Sequence, residues 1–268
     1  HPSDRFHSMA DLATALRESN LRSTLLSRIL WGLIPVIAAI VGLTIWYGKI
    51  RNDSSPHSNE SAVVPVVVLE PEEGDLFFDG KRRIVTPLIS FVPCTLEAWI
   101  RTNGDRSEQF VIGSDVPHNF GIGIGVNNRN PIAESIRGGF HVDMPITPDK
   151  WTHLAAVYSP NATFLFVDGK EIGVGPATQQ PSIPTHFVIG NVGEDHTNLF
   201  FNGQIRCLRI STGERYSGDF EPESSFSPDA PDSVHQAVLI FEGSKVDGDR
   251  VIDLSGNGNH GKWTEAHK

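Results

Sequence analysis

The sequence predicts a mainly β protein: one β-sandwich, preceded by a single transmembrane α-helix and a short cytoplasmic helix. Three observations carry this. From Val63 onward, short runs of Val, Ile, Phe and Leu alternate with polar residues and are cut by Gly, Pro, Asn and Asp, the signature of half-buried strands. Ile29 to Gly48 contains no charged residue. No stretch after it shows the 3.6-residue period of a long amphipathic helix.

Taken in order, residues 1–17 open with a short helix. Ser8 is a good N-cap with Asp11 three residues on, resembling a capping box, and Met9, Leu12, Ala13 and Leu16 recur at helical spacing. Residues 18–28 form a juxtamembrane segment. Residues 29–48 (ILWGLIPVIAAIVGLTIWYG) are long enough to cross the ~30 Å hydrocarbon layer as a helix. Trp31 stands at one end and Trp46 and Tyr47 at the other, where interfacial aromatics belong. Arg17, Arg22 and Arg28 precede the span and Lys49 and Arg51 follow it, a small excess favouring a cytoplasmic N-terminus. Residues 49–69 read as a stalk, because Asn52 to Ser61 (NDSSPHSNES) is too polar to build a core.

Residues 70–264 supply the strands. Thr95 to Arg101 (TLEAWIR) alternates. Phe120 to Val126 (FGIGIGV) sets Phe120, Ile122, Ile124 and Val126 on one face and glycines on the other. Trp151–Tyr158 and Thr163–Val167 are joined through Ser159-Pro160-Asn161, and Asp168-Gly169 is a hairpin turn into Lys170 to Val174. Further short strands cover Phe187–Gly190, Phe200–Phe201, Gln204–Ile210, Val238–Phe241 and Val251–Ile252. Many short strands at regular spacing mean a sandwich or a barrel.

The formal charge is −10, and the excess acid lies after Arg51. An acidic ectodomain lacks the basic footprint that nucleic acid requires, but is compatible with cations or neutral sugars. The two cysteines, Cys94 and Cys207, allow one disulfide in an exported domain. The alternative is a pair of buried thiols acting as small hydrophobes, which the sequence slightly favours.

The order FFDG (Phe77 to Gly80), TLEAWIR, WTHLAAVYSPNATFLFVDGKEIG (Trp151 to Gly173), IGN (Ile189 to Asn191), FNGQIRCLRI (Phe201 to Ile210) and DLSGNGNHG (Asp253 to Gly261) resembles laminin G-like domains. The resemblance spans nearly all of residues 70 to 264. It implies a concanavalin A-type jelly roll of two antiparallel sheets packed face to face. One departure is that the SGNGNHG element, which often opens such domains, closes this chain. The resemblance also implies Ca²⁺ at a loop rim, held by carboxylate and amide oxygens. The candidate ligands are Asp253, Asn257 and Asn259, with Asp79 and Asp195 as alternatives. The other reading of these residues, that they make turns, is the favoured one. His118, His141, His153 and His196 show no paired metal spacing, and His153 reads as packed or hydrogen-bonded.

Some jelly rolls of this type hydrolyse glycosides, which needs two carboxylates across the scissile bond. Glu97 stands alone in its strand, without the E-x-apolar-D-x-x-E pattern of the glucanase branch, so hydrolysis is disfavoured. The run GIGIG at Gly121 to Gly125 lacks the spacing and following helix of a phosphate loop. It reads as a strand whose glycine face lets another backbone or a flat ligand approach. Asn52, Asn59 and Asn161 stand in N-x-S/T sequons.

The N-terminal run Pro2-x-x-Arg5-Phe6-x-Ser8-x-x-x-Leu12-x-x-Ala15-Leu16 resembles the last turn and helix of Hanks-type serine/threonine protein kinases. His1 stands where a start methionine would be, which fits part of a longer product. The Gly-rich loop, catalytic lysine, H-R-D and D-F-G motifs are absent from this chain, so ATP and Mg²⁺ belong to the expected upstream kinase part. The expected protein is a single-pass receptor-like kinase of the cell membrane. Its extracytoplasmic β domain binds a sugar or protein ligand, and dimerisation is the expected coupling step. The competing readings are an anchored adhesion or scaffolding protein without signalling and, less favoured, a glycoside hydrolase.

Overall fold

The computed structural model describes residues 69–265, apart from 71–72, 106, 117–118, 136–137, 181–183 and 195. The predicted spanning helix at 29–48, the kinase-like segment 1–17, the juxtamembrane segment 18–28 and nearly all of the stalk lie outside the described residues. Among the described residues, no helix is long and apolar enough to cross a membrane.

The described residues form strands β1 (Leu76–Asp79), β2 (Arg82–Ile89), β3 (Cys94–Thr102), β4 (Gln109–Val116), β5 (Asn119–Asn127), β6 (Asn130–Glu134), β7 (Phe140–His141) and β8 (Thr152–Tyr158). Then come β9 (Thr163–Val167), β10 (Lys170–Gly175), β11 (His186–Ile189), β12 (Asn202–Thr212), β13 (Ala237–Glu242), β14 (Val246–Asp247), β15 (Arg250–Val251) and β16 (Gly261–Glu265). They make two sheets. The first runs β1-β12-β3-β8-β9-β10, with β13 also paired to β12; the second runs β14-β15-β16-β2-β11-β4-β5-β6-β7. Every named strand pair is antiparallel.

The core lies between the sheets and follows the two-residue period of the strands. Leu96, Ala98 and Ile100 from β3 meet Ile122, Ile124 and Val126 from β5, with Phe78, Phe187, Phe201 and Phe241 filling the layer. The glycines of β5 fall on the opposite face, as the alternation predicts. A Cβ on Gly123 would touch the Phe110 ring at 3.0 Å, and one on Gly113 of β4 would meet the Val192 backbone at 2.5 Å. The glycine face therefore admits a neighbouring backbone rather than a phosphate. The 190–201 loop lies there, pinned by Asn191, whose amide donates to the carbonyls of His196 (3.3 Å) and Asn198 (3.1 Å).

The outer face of the first sheet is covered by an irregular strap, residues 213–236, between β12 and β13. Phe220 donates its backbone N–H to Gly169 O at 2.8 Å, and Tyr216 stacks on Phe220 with ring centroids 3.5 Å apart. Trp99 Nε1 donates to Glu223 O at 2.7 Å. Arg215 grips Asp229 through two hydrogen bonds, the longer at 3.0 Å. The strap thus covers a face that alternation alone assigns to solvent.

Candidate functional site

Two polar clusters stand out, one sealed and one open. The sealed one lies under the strap. Glu97, Thr95 and Trp99 occupy the outward positions of β3. On β12 a bulge between Ile205 and Cys207 makes Arg206 the extra residue, which resets the alternation and brings Arg209 opposite Glu97. The Nε of Arg209 donates to Glu97 Oε1 at 2.8 Å, and Tyr216 OH donates to Oε2 at 2.8 Å. His153 Nε2 lies 3.2 Å from Oε2. Arg209 Nη2 continues to Glu223 Oε1 at 2.9 Å.

Glu97 and His153 are 0% exposed and Arg209 is 1% exposed. Burial alone would raise the Glu97 carboxyl. The hydrogen bond from His153 and the Arg209 guanidinium outweigh it and hold the group below the usual carboxylate range. Burial, followed by the Glu97 charge, pushes the Tyr216 phenol well up. Both Glu97 oxygens are occupied and no substrate reaches them. The cluster is built to stay ionised and closed, which is the chemistry of a structural tie, not of a general acid that must release a proton.

The open cluster is a cleft of about 520 Å³ at one edge of the sandwich, where β1 of the first sheet faces the β14–β16 end of the second. That volume falls within the ~300–1,000 Å³ typical of small-ligand sites. Its walls include Asp75, Phe77, Arg82, Gly248, Asp249 and Trp263. Trp263 lies opposite Ile84 in the β16–β2 ladder, so its ring caps the core and packs on Phe78 at 4.9 Å. The Arg82 guanidinium sits over the same ring at 4.4 Å and donates from Nε and Nη2 to Phe77 O. Asp249 accepts the Trp263 N–H on its backbone carbonyl at 2.8 Å, which leaves its carboxylate at the rim.

The predicted calcium ligands Asp253, Asn257 and Asn259 share one loop and are linked there by local hydrogen bonds. Asp253 accepts four hydrogen bonds from its own surroundings: Oδ1 from the N–H groups of Ile240 and Ser255, and Oδ2 from Ser255 Oγ and the Asn259 N–H. That uses the roughly four acceptor sites of a carboxylate. Asn257 and Asn259 donate their amides to Ala237 O and Val238 O. Asp79 closes a turn by accepting the Lys81 N–H at 3.0 Å, at the far end of β1 from the Asp253 loop's partners on β13. Asp195 and His118 lie outside the described residues. The described residues hold no group of three or more His, Cys, Asp or Glu side chains able to bind a metal. Asp253, Asn257, Asn259 and Asp79 thus take part in turns, the reading the sequence favoured.

The register keeps Cys94 and Cys207 apart, in line with two buried thiols rather than the disulfide the sequence also allowed. Both thiols are free and buried. Cys94 lies opposite Thr212, whereas Cys207 lies opposite Trp99. That is five positions along β3, roughly 16 Å at the strand rise, far beyond a bridgeable Cα separation. They also face different clusters, Cys94 the inter-sheet core and Cys207 the strap side. Burial raises both thiols, Cys207 to about 12. Both are expected to resist a disulfide-exchange thiol reagent in the native fold and to react on unfolding. Fast native labelling of either would contradict the packing.

Sequence reasoning missed three features: the Glu97–Arg209 tie, the strap and the edge cleft. The first had a faint signal, in that Glu97 and Arg209 each stand between two apolar neighbours, Leu96 and Ala98, and Leu208 and Ile210. Asn161, in the β8–β9 turn, is exposed.

Residues 78–217 match the family described as the Concanavalin A-like lectin/glucanases superfamily. No curated protein matches the chain in sequence. Among solved structures, a candidate carbohydrate-binding protein from Bacteroides ovatus is similar with a TM-score of 0.53 at 16% identity, over 74% of this chain and 62% of that one. At that identity the likeness shows the fold, and this chain spans less than two thirds of that protein's length. A heptameric SAP-like pentraxin from Limulus polyphemus matches with a TM-score of 0.42 at 14% identity, over 53% of this chain and 77% of its own. Domain 4 of a GH43 extracellular arabinanase from Geobacillus stearothermophilus, solved with arabinotriose, matches with a TM-score of 0.42 at 20% identity, over 52% of this chain and 71% of its own.

Proposed function

This chain belongs to the concanavalin A-like lectin/glucanase superfamily, and on that premise we propose that its β-sandwich binds carbohydrate without cleaving it. The observation that carries this is the division of labour between the two clusters. Glu97, the acid inside the jelly-roll strand, is sealed and doubly paired. The groups open to a ligand are aromatic and polar side chains at an edge cleft. Immobilised polysaccharides are expected to retain the protein with no release of reducing ends. Hydrolysis of a retained glycan would overturn the non-catalytic half of this reading.

We further propose that the domain is the extracytoplasmic part of a single-pass receptor-like serine/threonine kinase with its N-terminus in the cytoplasm. What supports this is the uncharged run from Ile29 to Gly48 and the kinase-end pattern from Pro2 to Leu16. Reading the coding sequence upstream of His1 tests it. A Gly-rich loop, catalytic lysine, H-R-D and D-F-G in frame are expected. A start codon with none of these would leave an anchored binding or adhesion module.

A further inference from the structure

We infer that the loop from Asp253 to Asn259 is an edge cover: it occupies the free backbone edge of β13 and keeps a second copy of the chain from adding its own β13 there.

Strand β13 pairs with β12 along one side and with no other named strand among the described residues. Its sequence makes the free side a hazard. Ala237 to Phe241 (AVLIF) is an uncharged apolar run without proline or glycine, the composition that pairs edge to edge with other chains. An identical edge is also the fitting partner. Two copies of one strand, laid antiparallel about a two-fold axis, match donors to acceptors in both directions.

The loop takes up the groups such a partner would use. Ile240 donates its N–H to Asp253 Oδ1 at 3.1 Å and accepts the Leu254 N–H on its carbonyl at 2.9 Å. This is the two-bond exchange of a paired strand residue, made here by one side chain and one backbone amide. Val238 O accepts from Asn259 Nδ2 at 2.8 Å and from Ser255 Oγ at 3.2 Å. Ala237 O accepts from Asn257 Nδ2 at 3.1 Å. On the strap side, Asp229 Oδ2 accepts the Ala237 N–H at 2.6 Å. Every second residue of the loop, Asp253, Ser255, Asn257 and Asn259, thus sends a side chain to β13, at the spacing of a strand. Gly256 and Gly258, at φ +88° and +76°, turn the backbone between them into the left-handed region that glycine adopts freely. Because the loop caps β13 largely with side chains, it passes no ladder of backbone groups on to a further strand. A turn that only had to close on itself would need none of these contacts with β13.

A labelled peptide copying Gln236 to Gly243, with lysines added at both ends for solubility, stands in for the second copy's strand. Its fluorescence anisotropy is read against the full chain in detergent micelles. The native chain is expected to leave it free. Asp253→Ala removes the acceptor of the Ile240 N–H and releases the loop. It is expected to bind the peptide at least about tenfold more tightly than the native chain, and to ignore a scrambled peptide. Asn257→Asp combined with Asn259→Asp keeps both side-chain shapes but removes both donors, and supplies the same test if Asp253→Ala does not fold. Hydrogen exchange of the native chain needs no variant. The amides of Ile240, Ser255 and Asn259 all donate to the Asp253 carboxylate, so they should open together and show closely similar protection. Equal peptide affinity for the native chain and a folded variant would overturn the cover. So would equal affinity for the scrambled peptide, or an Ile240 amide that exchanges independently of the loop.

Discussion

Replacing Glu97 by alanine is expected to destabilise the domain by about 3–5 kcal/mol, the range for breaking a buried ion pair from one side. The substitution strands Arg209, which is 1% exposed, and removes the acceptor of both Arg209 Nε and Tyr216 OH. The double variant Glu97→Leu with Arg209→Met should lose less than Glu97→Ala alone, because two well-packed apolar side chains carry no desolvation penalty. Urea unfolding of the three proteins at neutral pH measures this. A double variant that loses as much as Glu97→Ala, or more, would contradict the stranded-charge account. The acid limb has a definite sign. The folded-state Glu97 carboxyl is held below its ordinary range, so its contribution is full above the unfolded-state value. It drains away as pH falls through the ordinary carboxylate range towards the lower folded value. In Glu97→Gln that part of the acid limb should be flat.

Gly190→Ala is expected to be the second large loss, about 2–5 kcal/mol. Gly190 has φ +80°, a left-handed conformation that costs a residue with a Cβ about 1–2 kcal/mol. An added methyl would also run into the Phe78 ring, and overpacking of that kind costs about 1–3 kcal/mol. The position cannot relax freely, because its N–H donates to Val111 O at 2.8 Å and its carbonyl accepts from Phe201 at 3.0 Å. Gly248→Ala is the control. It shares a positive φ, +62°, but a Cβ there meets nothing within 4 Å. It should lose only the backbone part. Similar thermal midpoints for the two variants would show that the contact with Phe78 is not tight.

The contrast between these two sites shows what the chain makes legible and what it does not. Period-two alternation placed Ile122, Ile124 and Val126 in the core and the glycines of β5 on the other face, and the structure agrees. The same rule sends Thr95, Glu97 and Trp99 to solvent, yet Thr95 and Glu97 are buried. What buries that face is the strap at 213–236, which has no period of its own and is recognisable only from what it packs on. The bulge at Arg206 hid Arg209 in the same way, because one extra residue exchanges the faces of everything after it. The Asp253 loop is ambiguous in the sequence for a different reason. Asp and Asn bind their own backbone in turns as readily as they bind cations, and sequence spacing does not separate the two. The cleft joins Asp75, Arg82, Asp249 and Trp263, residues from opposite ends of the domain. Only the meeting of β1 with the β14–β16 edge brings them together.

The most direct test of the binding reading is hydrogen–deuterium exchange of the full chain with and without a neutral tetrasaccharide that it retains. Protection is expected in the segments 74–82, 243–250 and 261–264, which wall the cleft. Protection confined to the 190–201 loop and the glycine face of β5, or spread over no segment, would contradict a ligand site at the sandwich edge.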